Sequence, residues 1–163
     1  MKLSSNVMLL TLLAGMLVMS SCGVKRSQAY YDQSTQVLSA NYDGSYVLRV
    51  QVRARNAAVG FADAKRQAVR DVIFKGAKAA SNGISDLKPL VFDMNAQEKH
   101  EDYFNAFFED KGAWNNYCSL QDRRTNTSSF ERTNTQMVQT VTVTVDRAGL
   151  KRRLQADGII PAN

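Results

Sequence analysis

The sequence predicts an α+β fold, a small, mostly antiparallel sheet with helices packed on one face. Three observations carry that reading. Tyr46 to Arg55 alternates, with Tyr46, Leu48, Val50, Val52 and Ala54 on one side and Arg49, Gln51, Arg53 and Arg55 on the other. That is the period-two pattern of a strand with one buried face. Phe61 to Ala80 switches to helical spacing, with Phe61, Ala64, Ala68, Val72 and Ala77 on one stripe. Gln136 to Val145 alternates again, Val141, Val143 and Val145 against Thr140, Thr142 and Thr144, and β-branched residues suit a pleated, half-buried surface.

The remaining elements follow in chain order. Residues 23 to 44 are rich in Ser, Gln, Thr and Tyr without a sustained period, which reads as a flexible tether. Asn41-Tyr42-Asp43-Gly44 has turn chemistry. After the first strand, the helix from Phe61 carries Asp63 in its opening turn, where a carboxylate complements the dipole. Ser81-Asn82-Gly83 is its expected stop. Leu87 to Phe92 is a short apolar run that Pro89 confines to a sheet edge or strand start. Ala96 to Asp110 reads as a second helix, with Asn95 as N-cap and Glu98 in the capping-box position. It groups Tyr103, Phe104, Phe107 and Phe108 on one face, the usual arrangement of core aromatics. A short strand is expected near Asn116 to Leu120, and Arg123 to Arg132 is a polar loop. Asp146 caps a last helix through Leu150 and Leu154, stopped by Gly158 and Pro161. The two strong strands, near residues 50 and 141, are expected to be neighbours.

At 163 residues with 44% hydrophobic and 22% charged side chains, the chain suits one globular domain. Nine glycines and two prolines exclude collagen-like and low-complexity classes. Two cysteines exclude a disulfide-dense scaffold and a four-thiolate zinc site. The formal charge of +6 is unevenly spread. Residues 46–78 hold eight basic and two acidic side chains, whereas residues 93–110 hold one lysine and six acids. Such asymmetry orients a domain against a partner.

The N-terminus is an address. Met1-Lys2 is followed by the apolar run Val7 to Val18, then Met19-Ser20-Ser21-Cys22. As a helix the run spans about 18 Å against a hydrocarbon core of about 30 Å. It is short for a membrane span and right for the apolar region of a secretory signal. Small residues and a cysteine directly after that region resemble the lipobox of bacterial lipoproteins. Met19 stands where that family usually has leucine. The resemblance implies that the Cys22 thiol receives a diacylglycerol, that cleavage follows before it, and that the new amine is acylated. Two or more acyl chains anchor stably, one only marginally. Gly23 in place of aspartate, by the same resemblance, implies sorting to the outer membrane. No acidic cluster follows in Val24-Lys25-Arg26, so the expected location is its periplasmic side. If Cys22 is not lipidated, a Cys22–Cys118 disulfide is the alternative. The expected organisation is a signal peptide over 1–21, lipidated Cys22 and tether over 22–44, and one domain over 45–163.

The segment Phe61 to Gly76 (FADAKRQAVRDVIFKG) follows a strand, precedes Pro89-Leu90 and the acidic aromatic stretch Glu98 to Phe104, and is answered by Val141-Thr-Val-Thr-Val-Asp-Arg147. Together these resemble small envelope lipoproteins of Gram-negative bacteria and, more distantly, the strand–helix domain of flagellum-associated lipoproteins. The resemblance covers roughly residues 45–160. Its motifs are packing motifs, so it implies a fold and a location and transfers no catalytic residue.

Motifs for chemistry are sparse. His100 is the only histidine, which excludes HExxH and two-histidine metal sites. Gly-x-Ser-x-Gly, the P-loop and the dinucleotide-binding glycine pattern are all missing. Cys118 with His100 is the remaining nucleophile pair for a hydrolase, the weakest of three expectations. The leading one is a lipid-anchored, non-catalytic module, without cofactor or metal, that binds the membrane through Cys22 and a protein partner through its domain. The second is a binder of peptidoglycan or another anionic envelope polymer. Nucleic acid is not an expected partner of an exported domain. Arg49, Arg53 and Arg55, with Arg123 and Arg124 of the polar loop, are the candidate partner contacts.

Overall fold

The computed structural model describes residues 34–121, 131–133 and 136–162. Cys22, Arg123 and Arg124 lie outside the described residues. Strands β1 (Thr35–Ala40) and β2 (Ser45–Ala54) form a hairpin. In its turn the Ser45 amide donates to the Asp43 carboxylate at 2.8 Å, and Gly44 takes φ 82°, an aspartate–glycine pair suited to positive φ. The expected tether over 22–44 is therefore corrected, because residues 35–40 are the first strand of the domain. Its polar sequence TQVLSA hides this, since Thr35 and Val37 are its only buried residues.

Helix α1 (Ala57–Arg70) follows, four residues ahead of the expected start, because the Asn56 side chain accepts from the Val59 amide at 3.0 Å and so satisfies a helix-end donor. A π-helical turn, Asp71–Lys75, continues it. The Gly76 amide donates to the Asp71 carbonyl at 2.6 Å, and Gly76 turns to φ 76°. A Cβ at Gly76 would lie 2.3 Å from the Leu87 carbonyl oxygen. The helix ends there and not at Ser81-Asn82-Gly83, and a two-residue strand β3 (Lys78–Ala79) takes up the next stretch.

Leu87 to Phe92 forms no strand; only Leu87 bridges, to Ala77. The Leu90 amide bonds the Val72 and Ile73 carbonyls at 3.1 Å, and the Val91 amide bonds Ile73 at 2.8 Å. This run closes the end of the helix, a use of its backbone that proline at residue 89 permits. Next come α2 (Ala96–Lys99) and α3 (Glu101–Phe107), where one helix over 96–110 was expected. Asn95 makes no side-chain cap. A 3₁₀ turn (Ala113–Tyr117) leads into β4 (Cys118–Leu120), then β5 (Glu131–Thr133), β6 (Gln136–Asp146) and α4 (Arg147–Ala156).

The sheet runs β3-β1-β2-β6-β4, with β5 also paired to β6. All pairings are antiparallel except β1 with β3. β2 and β6 are neighbours from Ser45↔Asp146 to Ala54↔Met137. Their inner row, Leu48, Val50 and Val52 with Val141, Val143 and Val145, shares one core with Ala64, Ala68, Val69, Val72 and Ile73. Phe104, Phe107, Phe108, Trp114, Leu150 and Leu154 join it. The four aromatics of residues 103–108 pack on one another as core. The Asp146 carboxylate caps α4, accepting from the Gly149 amide at 2.7 Å. Asp146→Ala is expected to lower stability by about 1 kcal/mol, read as a shift of the urea midpoint with unchanged slope. Among the described residues, no helix is long and apolar enough to cross a membrane.

Candidate functional site

The outer row of β2 comes straight from its alternation. Arg49, Gln51 and Arg53 are exposed, and each stands opposite a residue of β6 in register, Thr142, Thr140 and Val138. On the other side Arg49 faces Gln36 of β1. At about 3.3 Å per residue, Arg49 and Arg53 lie roughly 13 Å apart along the strand. Arg55 is exposed just past the strand end. The structure thus places Arg49 and Arg53 on one sheet face and puts Arg55 at its rim.

Arg53 also borders a feature that residue spacing alone does not reveal. An open cleft of about 460 Å³ lies between α1 and α3. One wall is the α1 stripe Asp63, Arg66, Gln67 and Arg70, spaced i, i+3, i+4, i+7. Gln97, Asn105 and Glu109 stand across from it, and Val52, Phe104 and Phe108 supply apolar surface. Two of its guanidinium groups are braced. Arg66 lies over the Trp114 ring at 5.2 Å and bonds Asp110, and Arg70 lies over the Phe108 ring at 5.0 Å. Stacking of this kind fixes a planar cation while its edge stays available for hydrogen bonds. The Trp114 indole donates to the Glu109 carbonyl at 2.8 Å, so the ring under Arg66 is itself tied down. A second, contiguous hollow of about 390 Å³ shares Gln97, Phe104 and Asn105 and adds Met94, Glu98 and Glu101.

The nucleophile candidates are placed as follows. Cys118 begins β4, and burial pushes its thiol up to about 11, so at neutral pH it is protonated and weakly nucleophilic. Its sulfur approaches the Trp114 and Asn115 carbonyls at 3.7 and 3.9 Å. His100 sits half-buried between α2 and α3. Among the described residues, no hydrogen bond joins the two, and no group of three His, Cys, Asp or Glu side chains could hold a metal ion. Tyr103 bridges α3 to the end of α4, donating to Asp157 at 2.6 Å. Burial and then that carboxylate push its hydroxyl up to about 12.

One polar group inside the fold was not singled out by the sequence reading. Asp71 is 2% exposed. Thr35 of β1 donates to one carboxylate oxygen, and Gln67 donates to the other at 2.8 Å. Burial raises its pKa above the ordinary 3.8, against the opposing pull of Thr35, Lys75, Gln67 and Arg70. Its position on the helical stripe next to Val72 was the available signal. No family model matches the chain, and no curated protein or solved structure matches it.

Proposed function

We propose that the protein is a lipid-anchored envelope lipoprotein of the outer membrane, its domain on the periplasmic side, acting as a non-catalytic module that binds a protein partner. The observation that carries this reading is the order of Val7 to Val18, Ser20-Ser21 and Cys22. Each part has a separate job in translocation, cleavage and acylation. The exposed arginines of β2 support the binding half of the reading. Arg49 and Arg53 share the outer row of that strand, opposite Thr142 and Val138 of β6, and surface charge of one sign steers a complementary partner. The high thiol pKa of Cys118 weighs against a Cys/His hydrolase.

A second reading, attachment to peptidoglycan or another anionic polymer, is favoured by the roughly 13 Å repeat of Arg49 and Arg53 along the strand. Two measurements separate the readings. Crosslinking and affinity capture from membranes is expected to recover a defined protein partner, and Arg49→Glu with Arg55→Glu to reduce its yield about tenfold. Salt-sensitive co-sedimentation of the wild-type chain with purified peptidoglycan, together with capture unaffected by the double variant, would replace the first reading by the second.

A further inference from the structure

The cleft between α1 and α3 presents both signs of charge and neutral amides around an apolar floor. Arg66 and Arg70 supply guanidinium groups, and Asp63 and Glu109 supply carboxylates. Among the described residues, Arg66 is in an ion pair, with Asp110 outside the cleft, whereas Arg70, Asp63 and Glu109 are in none. Arg70 is exposed, with its guanidinium carbon over the Phe108 ring at 5.0 Å from the centroid. A guanidinium immobilised in this way loses less entropy when it closes on a carboxylate than a free side chain does. Gln67, Gln97 and Asn105 each carry a donor and an acceptor, the complement of a peptide bond. A purely anionic ligand would be repelled by Asp63 and Glu109, and a purely cationic one by the arginines. A volume of about 460 Å³ lies in the range of small-ligand sites and suits a few residues.

We propose that this cleft binds a short zwitterionic peptide segment, its carboxylate toward Arg70 and its ammonium toward Glu109 and Asp63. The proposal rests on the protein-binding reading and names the kind of segment bound. It is separable from the β2 face, since Arg49 and Arg55 do not line the cleft.

The test uses the full chain and three probes, each titrated by calorimetry and by chemical shifts. They are the acetyl-Ala-Glu-Lys-Ala amide, which carries one carboxylate and one ammonium, the neutral acetyl-Ala-Gln-Gln-Ala amide, and inorganic phosphate. The zwitterionic peptide is expected to bind with a dissociation constant on the order of 100 μM, shifting the side-chain amides of Gln97 and Asn105. The neutral peptide is expected to bind at least about tenfold more weakly. Arg70→Gln and Glu109→Gln are each expected to weaken the zwitterion about fivefold with the thermal midpoint unchanged. Equal affinity for the neutral peptide overturns the proposal. So does displacement of the zwitterion by phosphate at equal concentration, which would mark a simple anion site, or no effect of either variant. If no peptide binds while partner capture remains sensitive to Arg49 and Arg55, the cleft proposal falls and the protein-binding reading stands.

Discussion

A Cys22→Ser chain is expected to accumulate at full length, with no trimmed and acylated form. The wild-type chain is expected to appear as a species beginning at Cys22 and carrying lipid mass. The physical ground is the division of labour in the first 22 residues. The run Val7 to Val18 is apolar enough to enter the translocation machinery but, at about 18 Å, falls short of the roughly 30 Å hydrocarbon core. On the proposed reading a lasting anchor comes from acyl chains, at about 0.8 kcal/mol per buried methylene. Serine is close to cysteine in size, but its hydroxyl is a far poorer nucleophile than a thiolate. The substitution thus removes the acceptor chemistry and leaves the leader's hydropathy alone. Intact-mass spectrometry of the membrane fraction reads both outcomes. Trimming and lipid retention of the variant equal to the parent would refute the proposed anchor, and so would a Cys22–Cys118 disulfide in the parent.

The domain was legible wherever a long segment keeps one period. β2 alternates from Leu48 to Arg53 and β6 from Thr140 to Val145, and their inner rows are buried as that pattern requires, although Val47 and Thr142 of the outer rows are buried too. The hairpin partner β1 was hidden because only Thr35 and Val37 turn fully inward. The Asn41-Tyr42-Asp43-Gly44 turn beside β2 was its available signal, since a tight turn next to one strand implies a second. The helix from residue 57 departs from its sequence spacing at both ends for different reasons. Its start is set by one side chain, Asn56, and its end by backbone contacts from Leu90 and Val91, which lie far along the chain. Sequence pattern sees the first kind of signal if asked, and cannot see the second. The cleft is divided in the same way. The stripe Asp63, Arg66, Gln67 and Arg70 is plain from spacing, but its opposite wall depends on how α3 settles against Phe74 through the edge contact of Phe104, 4.8 Å between ring centres.

The buried Asp71 should give the domain an acid-favoured stability that Asp71→Asn removes. Burial raises the carboxyl above its ordinary 3.8, so between that value and its folded-state pKa the native chain holds more proton than the unfolded one. Stability from this group is then fully present below the unfolded pKa and is lost as pH rises through the folded pKa. Thr35 and Gln67 soften the cost, because their bonds to the two oxygens favour the charged form. Asparagine is nearly isosteric and keeps an acceptor for Thr35, while Gln67 can turn its amide to match. The variant should therefore flatten the pH dependence of the urea midpoint across this window. Thr35→Val removes one favourable donor and should push the loss of stability to higher pH. Asp71→Ala should behave differently, lowering stability at every pH by about 2 kcal/mol, because buried Thr35 and half-buried Gln67 lose their acceptor and a void is left. Urea titrations over a pH series distinguish the three. A wild-type curve as flat as that of Asp71→Asn would show that the carboxyl is not raised. Because Thr35 opens the first strand and Asp71 opens the π-helical turn, this bond clasps the point where the chain from the N-terminus enters the domain. Loss of the clasp should appear first as faster hydrogen exchange in β1.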